Sequence, residues 1–136
     1  MNLVSLINNN KITYQDGEYI FFLLDGEEIV YAGKTIKSFP PISNHRDKTF
    51  TDVSILSKDT IGFEGSHDEL LIELLIQLMP KYNTSLPTNN RYMTKGIIKK
   101  RFDINGYELN RLIKKNGAKT VFHDYYDIKG IFQYQE

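Results

Sequence analysis

The sequence contains no cysteine and no tryptophan, and its three histidines lie far apart. Without cysteine, disulfides, thiolate nucleophiles and cysteine zinc sites are excluded together, and three scattered histidines do not make a histidine-rich metal site. Long apolar runs are missing as well. The longest, Leu70 to Met79, is interrupted by Glu73 and Gln77 and falls short of the ~18–20 residues of a membrane span. No basic stretch precedes an apolar one near Met1, and no small-residue cleavage site follows. The expectation is a cytoplasmic protein with no secretory signal and no membrane association. What remains is an ordinary globular composition: 136 residues, 40% hydrophobic and 25% charged. That suits one domain, or a small domain with a compact appendage, and excludes disordered, collagenous and coiled-coil chains.

Net charge is zero, but it is unevenly spread. Residues 1–88 carry 7 Lys/Arg against 12 Asp/Glu, residues 89–120 carry 9 against 2, and residues 121–136 carry 1 against 3. The balances are therefore −5, +7 and −2. A short basic block in an otherwise acidic chain suits a polyanion-facing surface, and it suits a solvated helix face equally.

Apolar patterning predicts the elements. Residues 17–33 read as a β-hairpin: a run from Tyr19 to Leu24, a turn at Asp25-Gly26, then a second strand with Ile29, Val30 and Tyr31. Phe39-Pro40-Pro41 can only begin a helix, which predicts a short one from Pro40 to Arg46. Lys48 to Leu56 reads as a third strand. Ser66 followed by Glu69 has the capping-box spacing, opening a helix to about Met79 with an apolar stripe of Leu71, Leu74, Leu75 and Leu78 before Pro80 stops it. Asn83, just beyond, is suited to tying that helix end to the sheet. Beyond a polar connector, Thr94 caps one short helix and Asn105 a second that ends at Gly117. Two helices across a tight turn, the second basic at Arg111, Lys114 and Lys115, read as helix-turn-helix. Residues 118–134 alternate and are aromatic, as a closing β-ribbon or wing would be.

Gly17-Glu18-Tyr19, followed by Tyr31-Ala32-Gly33-Lys34 on the neighbouring strand and by Pro80-Lys81-Tyr82-Asn83 after the long helix, resembles the ordered signature of the GIY-YIG endonuclease superfamily. Ile42 and His45 in the short helix fit the same pattern, and the resemblance covers roughly residues 15–85. It implies a small three-stranded antiparallel sheet flanked by helices and cleavage of phosphodiester bonds with one divalent metal, Mg²⁺ or Mn²⁺. Tyr19 matches the tyrosine that deprotonates or orients the attacking water, Tyr31 the second-motif tyrosine, and Gly33 a point of close backbone approach. Two positions depart. Where the family carries its catalytic arginine this chain has Pro41, and where it carries the metal-binding glutamate it has Leu71. Arg46 reaches the site only if the short helix is displaced. Glu69 and Glu73 flank Leu71, each turned about 200° around the helix from it.

The expected architecture is therefore α+β: a GIY-YIG-like domain over residues 1–86 and a helix-turn-helix or winged-helix-like module over residues 89–136. Three functions stay open. The first is a DNA-binding protein built on a degenerate nuclease domain whose cleavage is weak or lost. The second is an active endonuclease on double-stranded DNA, with Tyr19 for the water, Tyr31 as the second-motif tyrosine of the site, Arg46 for phosphate charge and Glu73 or Glu69 for metal. The third is a phage or mobile-element protein-interaction module. DNA contacts are expected from Lys34, Lys99, Lys100, Arg111, Lys114 and Lys115, with base reading early in the second helix at Asn105, Tyr107, Glu108 and Arg111. Tyr19 and Tyr31 also fit core aromatics, and Glu69 and Glu73 a solvated helix face. His67 and His123 have no partner that the sequence identifies.

Overall fold

The computed structural model describes residues 18–35, 45 and 47–132. It is α+β and separates into two compact units, residues 1–83 and residues 84–136, described in turn. Gly17, the short helix expected from Pro40 to Arg46 with Pro41, Ile42 and Arg46 itself, and residues 133–134 of the expected ribbon lie outside the described residues, His45 excepted.

In the first unit, β1 (Tyr19–Asp25), β2 (Glu28–Thr35) and β3 (Asp52–Leu56) form an antiparallel sheet in the order β2-β1-β3. The central place of β1 explains its sequence. A strand covered on both faces needs an unbroken apolar run rather than alternation, and Tyr19 to Leu24 are all buried. Phe21 stands opposite Gly33 on one side and Ile55 on the other. Tyr19, Phe21, Leu23, Val30 and Ile55 form one core cluster, closed by Tyr31, Phe50, Val53 and Tyr82. A register slip between Leu23 and Leu24 marks a bulge next to the Asp25–Glu28 turn.

The third strand begins at Asp52, later than the expected Lys48, because the preceding residues satisfy their backbone elsewhere. Lys48 N–H donates to the His45 carbonyl at 3.0 Å. Thr49 N–H donates to the Tyr82 hydroxyl at 3.1 Å. Helix α1 (His67–Leu78) opens on the full capping box of Ser66 and Glu69 and ends with Met79 in the left-handed conformation, φ 49°. Its buried residues include Leu70, Leu71, Ile72, Leu74 and Leu75, and it packs on β2 and β1. The chain then returns along β2. Tyr82 N–H donates to the Val30 carbonyl at 3.0 Å. The Asn83 amide accepts from Ala32 N–H and donates to the Ala32 carbonyl, each at 2.9 Å.

The second unit holds β4 (Tyr92–Thr94), α2 (Lys95–Phe102), α3 (Gly106–Asn116), β5 (Thr120–Phe122), β6 (Tyr125–Asp127) and α4 (Ile128–Ile131). Its sheet has the order β4-β6-β5. Thr94 caps α2, Asn105 caps α3, and Gly117 at φ 64° ends α3 by donating to the Ile113 and Lys114 carbonyls. Met93, Ile98, Leu109 and Ile131 form the core, with Phe102, Leu112, Ile113 and Phe132 packed on it. Two elements differ from the sequence expectation. Tyr92–Thr94, for which the sequence suggests no strand, is one, and the ribbon stops at Asp127, whose side chain accepts from Lys129 N–H to begin α4. Neither a three-residue strand nor a four-residue helix is long enough to show a period.

Gly33 is required by packing. A Cβ there would stand 2.9 Å from the Phe21 ring and 3.1 Å from the Tyr31 ring, and Phe21 is itself buried. Gly33→Ala should therefore destabilise the chain by about 1–3 kcal/mol, the usual range for overpacking a closed core, read as a lower urea midpoint. An unchanged midpoint would mean that the ring has room to move.

Candidate functional site

The motif tyrosines share one cluster but not one environment. Tyr19 is fully buried inside it, and Tyr31 is half-buried at its margin. The His45 ring lies 4.5 Å from Tyr31 and 5.7 Å from Phe21. The Lys48 ammonium stands over the Tyr31 ring at 5.0 Å. Burial raises the Tyr31 pKa, which keeps its phenol protonated at neutral pH, so that phenolate is not at hand as a base. His45 shifts down, chiefly through burial and then through the Lys48 charge, with Asp47 opposing. Its Nδ1 is buried and has no hydrogen-bond partner among the described residues. The close approach at Gly33 is made by an aromatic ring of the core.

The carboxylates expected to bind metal are engaged or exposed. Glu69 accepts from Ser66 N–H at 3.0 Å as the return half of the capping box. Glu73 is exposed, and Leu71, between them, is 5% exposed. Among the described residues no group of three acidic or histidine side chains could hold a metal ion. The donor set does not fit a divalent metal at this position, because an apolar side chain occupies the register and one flanking carboxylate is committed to a helix cap.

Lys34 is tied to other side chains. Its ammonium lies 3.1 Å from Asp68 and 3.9 Å from Glu18. Glu18 also meets His67 Nδ1 at 2.9 Å, while His67 Nε2 accepts from Lys58 N–H at 3.0 Å. With Nε2 used as an acceptor, the ring proton sits on Nδ1 and points at Glu18. This network joins β2, the residue before β1 and the start of α1. No local spacing foretells it, since Glu18 and His67 are 49 residues apart.

A different surface lies on α2 and α3. Lys99 and Lys100 are exposed on α2, and Tyr107, Asn110, Arg111, Lys114 and Lys115 on α3, where Leu109 is buried on the opposite side. The arginines of the basic block are occupied. Arg91 binds Asp127 through two nitrogens at 3.1 and 2.8 Å. Arg101 donates to the Asn89 carbonyl and the Asn90 side chain. Arg111 binds Glu108. Lys99, Lys100, Lys114 and Lys115, by contrast, have no ion pair among the described residues. Asn105 is used locally: its side chain accepts from Glu108 N–H at 2.8 Å as the α3 cap.

No family model, curated protein or solved structure matches the chain.

The His45 shift has a pH consequence. Its pKa is lower in the folded chain than in the unfolded one, so on acidification the unfolded chain takes up the proton first. The stability linked to neutral His45 is fully present above the unfolded histidine pKa of about 6.5 and is lost as pH falls below it. Urea midpoints at about pH 7.5 and about pH 5.5 should differ more for the natural chain than for His45→Phe. Equal differences would remove His45 from the acid response.

Proposed function

We propose that the chain is a DNA-binding protein whose first unit is a degenerate GIY-YIG-like nuclease domain, with cleavage weak or lost, and whose second unit contacts double-stranded DNA. The observation that carries this is the exposure of four lysines, Lys99, Lys100, Lys114 and Lys115, on two consecutive capped helices. The setting supports it. Two helices lie between β4 and β5, with β6 paired between those strands, an order that supports reading the unit as a winged helix-turn-helix, in which the second helix would enter the major groove. Unpaired lysines then act as point charges on phosphate, and their neutralisation releases condensed counterions.

The first unit supports the weak-cleavage half of the proposal. Phosphodiester hydrolysis needs charge at the scissile phosphate and a metal or base at the water. Pro41 and Leu71 occupy the two positions where the resemblance expects those charges. Glu69 is held in a cap, and Tyr19 is sealed in the core. The full chain should leave supercoiled plasmid intact in Mg²⁺ or Mn²⁺. Robust nicking abolished by Glu73→Ala would make the chain an active endonuclease instead.

Binding itself is read by fluorescence anisotropy on duplex DNA across a salt series. Four phosphate contacts predict a log–log slope of about −4, and Lys114→Ala or Lys100→Ala should each reduce its magnitude by about one. No binding at low salt would leave the lysines as solvated surface charge.

A further inference from the structure

The pairing of Arg111 with Glu108 has a geometry that goes beyond phosphate attraction. Arg111 Nε donates to Glu108 Oε2 at 3.2 Å, and its Nη2 donates to Oε1 at 2.6 Å. Both contacts use the side edge of the guanidinium. The end-on fork, one hydrogen on Nη1 and the second on Nη2, is left without a partner, and the Arg111 side chain is half exposed. That fork has the spacing of two acceptors on one base edge. In the major groove only guanine offers such a pair, O6 and N7, whereas adenine places an amino donor beside its N7.

We infer that Arg111 reads a guanine in the major groove through its end-on fork, with Glu108 as the positioning residue that holds the guanidinium; this rests on the DNA-binding reading above. The first turn of α3 is itself fixed, because Asn105 caps it at Glu108 N–H. Arg111 lies on the solvent face with Tyr107, which is 80% exposed, and with Asn110 and Lys114 at helical spacing. The carboxylate also offsets the arginine charge and makes Arg111 a weaker phosphate ligand than the free lysines beside it. Affinity and base choice are thereby assigned to different side chains: lysines attract any duplex, and Arg111 discriminates.

The test uses the full chain and a pool of random-sequence duplexes, with the bound fraction sequenced and the preferred site then measured by anisotropy against single base-pair changes. The natural chain should prefer a G·C pair at one position. Arg111→Lys, which keeps the charge and loses the fork, should lower that preference by about 5- to 150-fold. Glu108→Gln should weaken the same preference while raising affinity for unrelated duplexes, with the salt slope steeper by about one as Arg111 turns to phosphate. Lys114→Ala should weaken all sequences alike. Preference unchanged in both Arg111→Lys and Glu108→Gln would overturn the inference and reduce the pair to a helix-surface contact. Binding without any base preference would overturn it too, leaving the DNA-binding proposal standing. No binding to any duplex at low salt would remove both.

Discussion

A strand with neighbours on both edges and cover on both faces has nothing to give to water, and β1 is such a strand. Six successive buried side chains in its run oblige every adjoining element to supply apolar surface. β2 and β3 bring Val30 and Ile55, α1 brings its leucines, and Phe50 and Tyr82 close the remaining face. The same demand sets chemistry aside. Tyr19 lies on the wholly buried strand, so its position in the motif is used for packing. Gly33 is bare because the Phe21 ring already fills the space its side chain would take. Leu71, at the register of a metal-binding carboxylate in the family the sequence resembles, is spent on the core in the same way.

Local signals were the legible ones. Ser66, Thr94, Asn105 and Gly117 all terminate helices where their types predict, since a cap is settled within four residues of chain. The hairpin of β1 and β2 and the stop at Pro80 were equally readable. Depth was not, because a tyrosine on a strand has the same letter whether its ring is sealed, as in Tyr19, or marginal, as in Tyr31. Long-range polar pairing was also hidden: Lys34, expected on DNA, meets Asp68 and Glu18, and His67 finds Glu18 from across the first unit. Arg111 stood among both the phosphate contacts and the base readers expected from sequence, and its two-nitrogen grip on Glu108 is what sets it apart from its lysine neighbours.

That separation runs through the whole basic block. Its arginines at 91, 101 and 111 each engage an acceptor within the second unit, two of them carboxylates held by two nitrogens. Its lysines on α2 and α3 form no ion pair among the described residues. The division follows from the side chains themselves: a planar guanidinium gains by matching a fork of acceptors, whereas an ammonium on a flexible stem keeps its hydration and acts at a distance. Sequence charge alone would count both alike.

Asn83 closes the first unit, and its two bonds to Ala32 have an effect outside the molecule. Among the described residues β2 is an edge strand, and its outward row of amide and carbonyl groups is a template on which a strand from another chain could grow. The Asn83 amide and the Tyr82 N–H occupy that row at Ala32 and Val30. A side chain that mimics a backbone thus stands where a foreign strand would have to register. Asn83, placed just after a helix that proline has stopped, and Tyr82 beside it thereby cover part of the edge on which a second chain would pair.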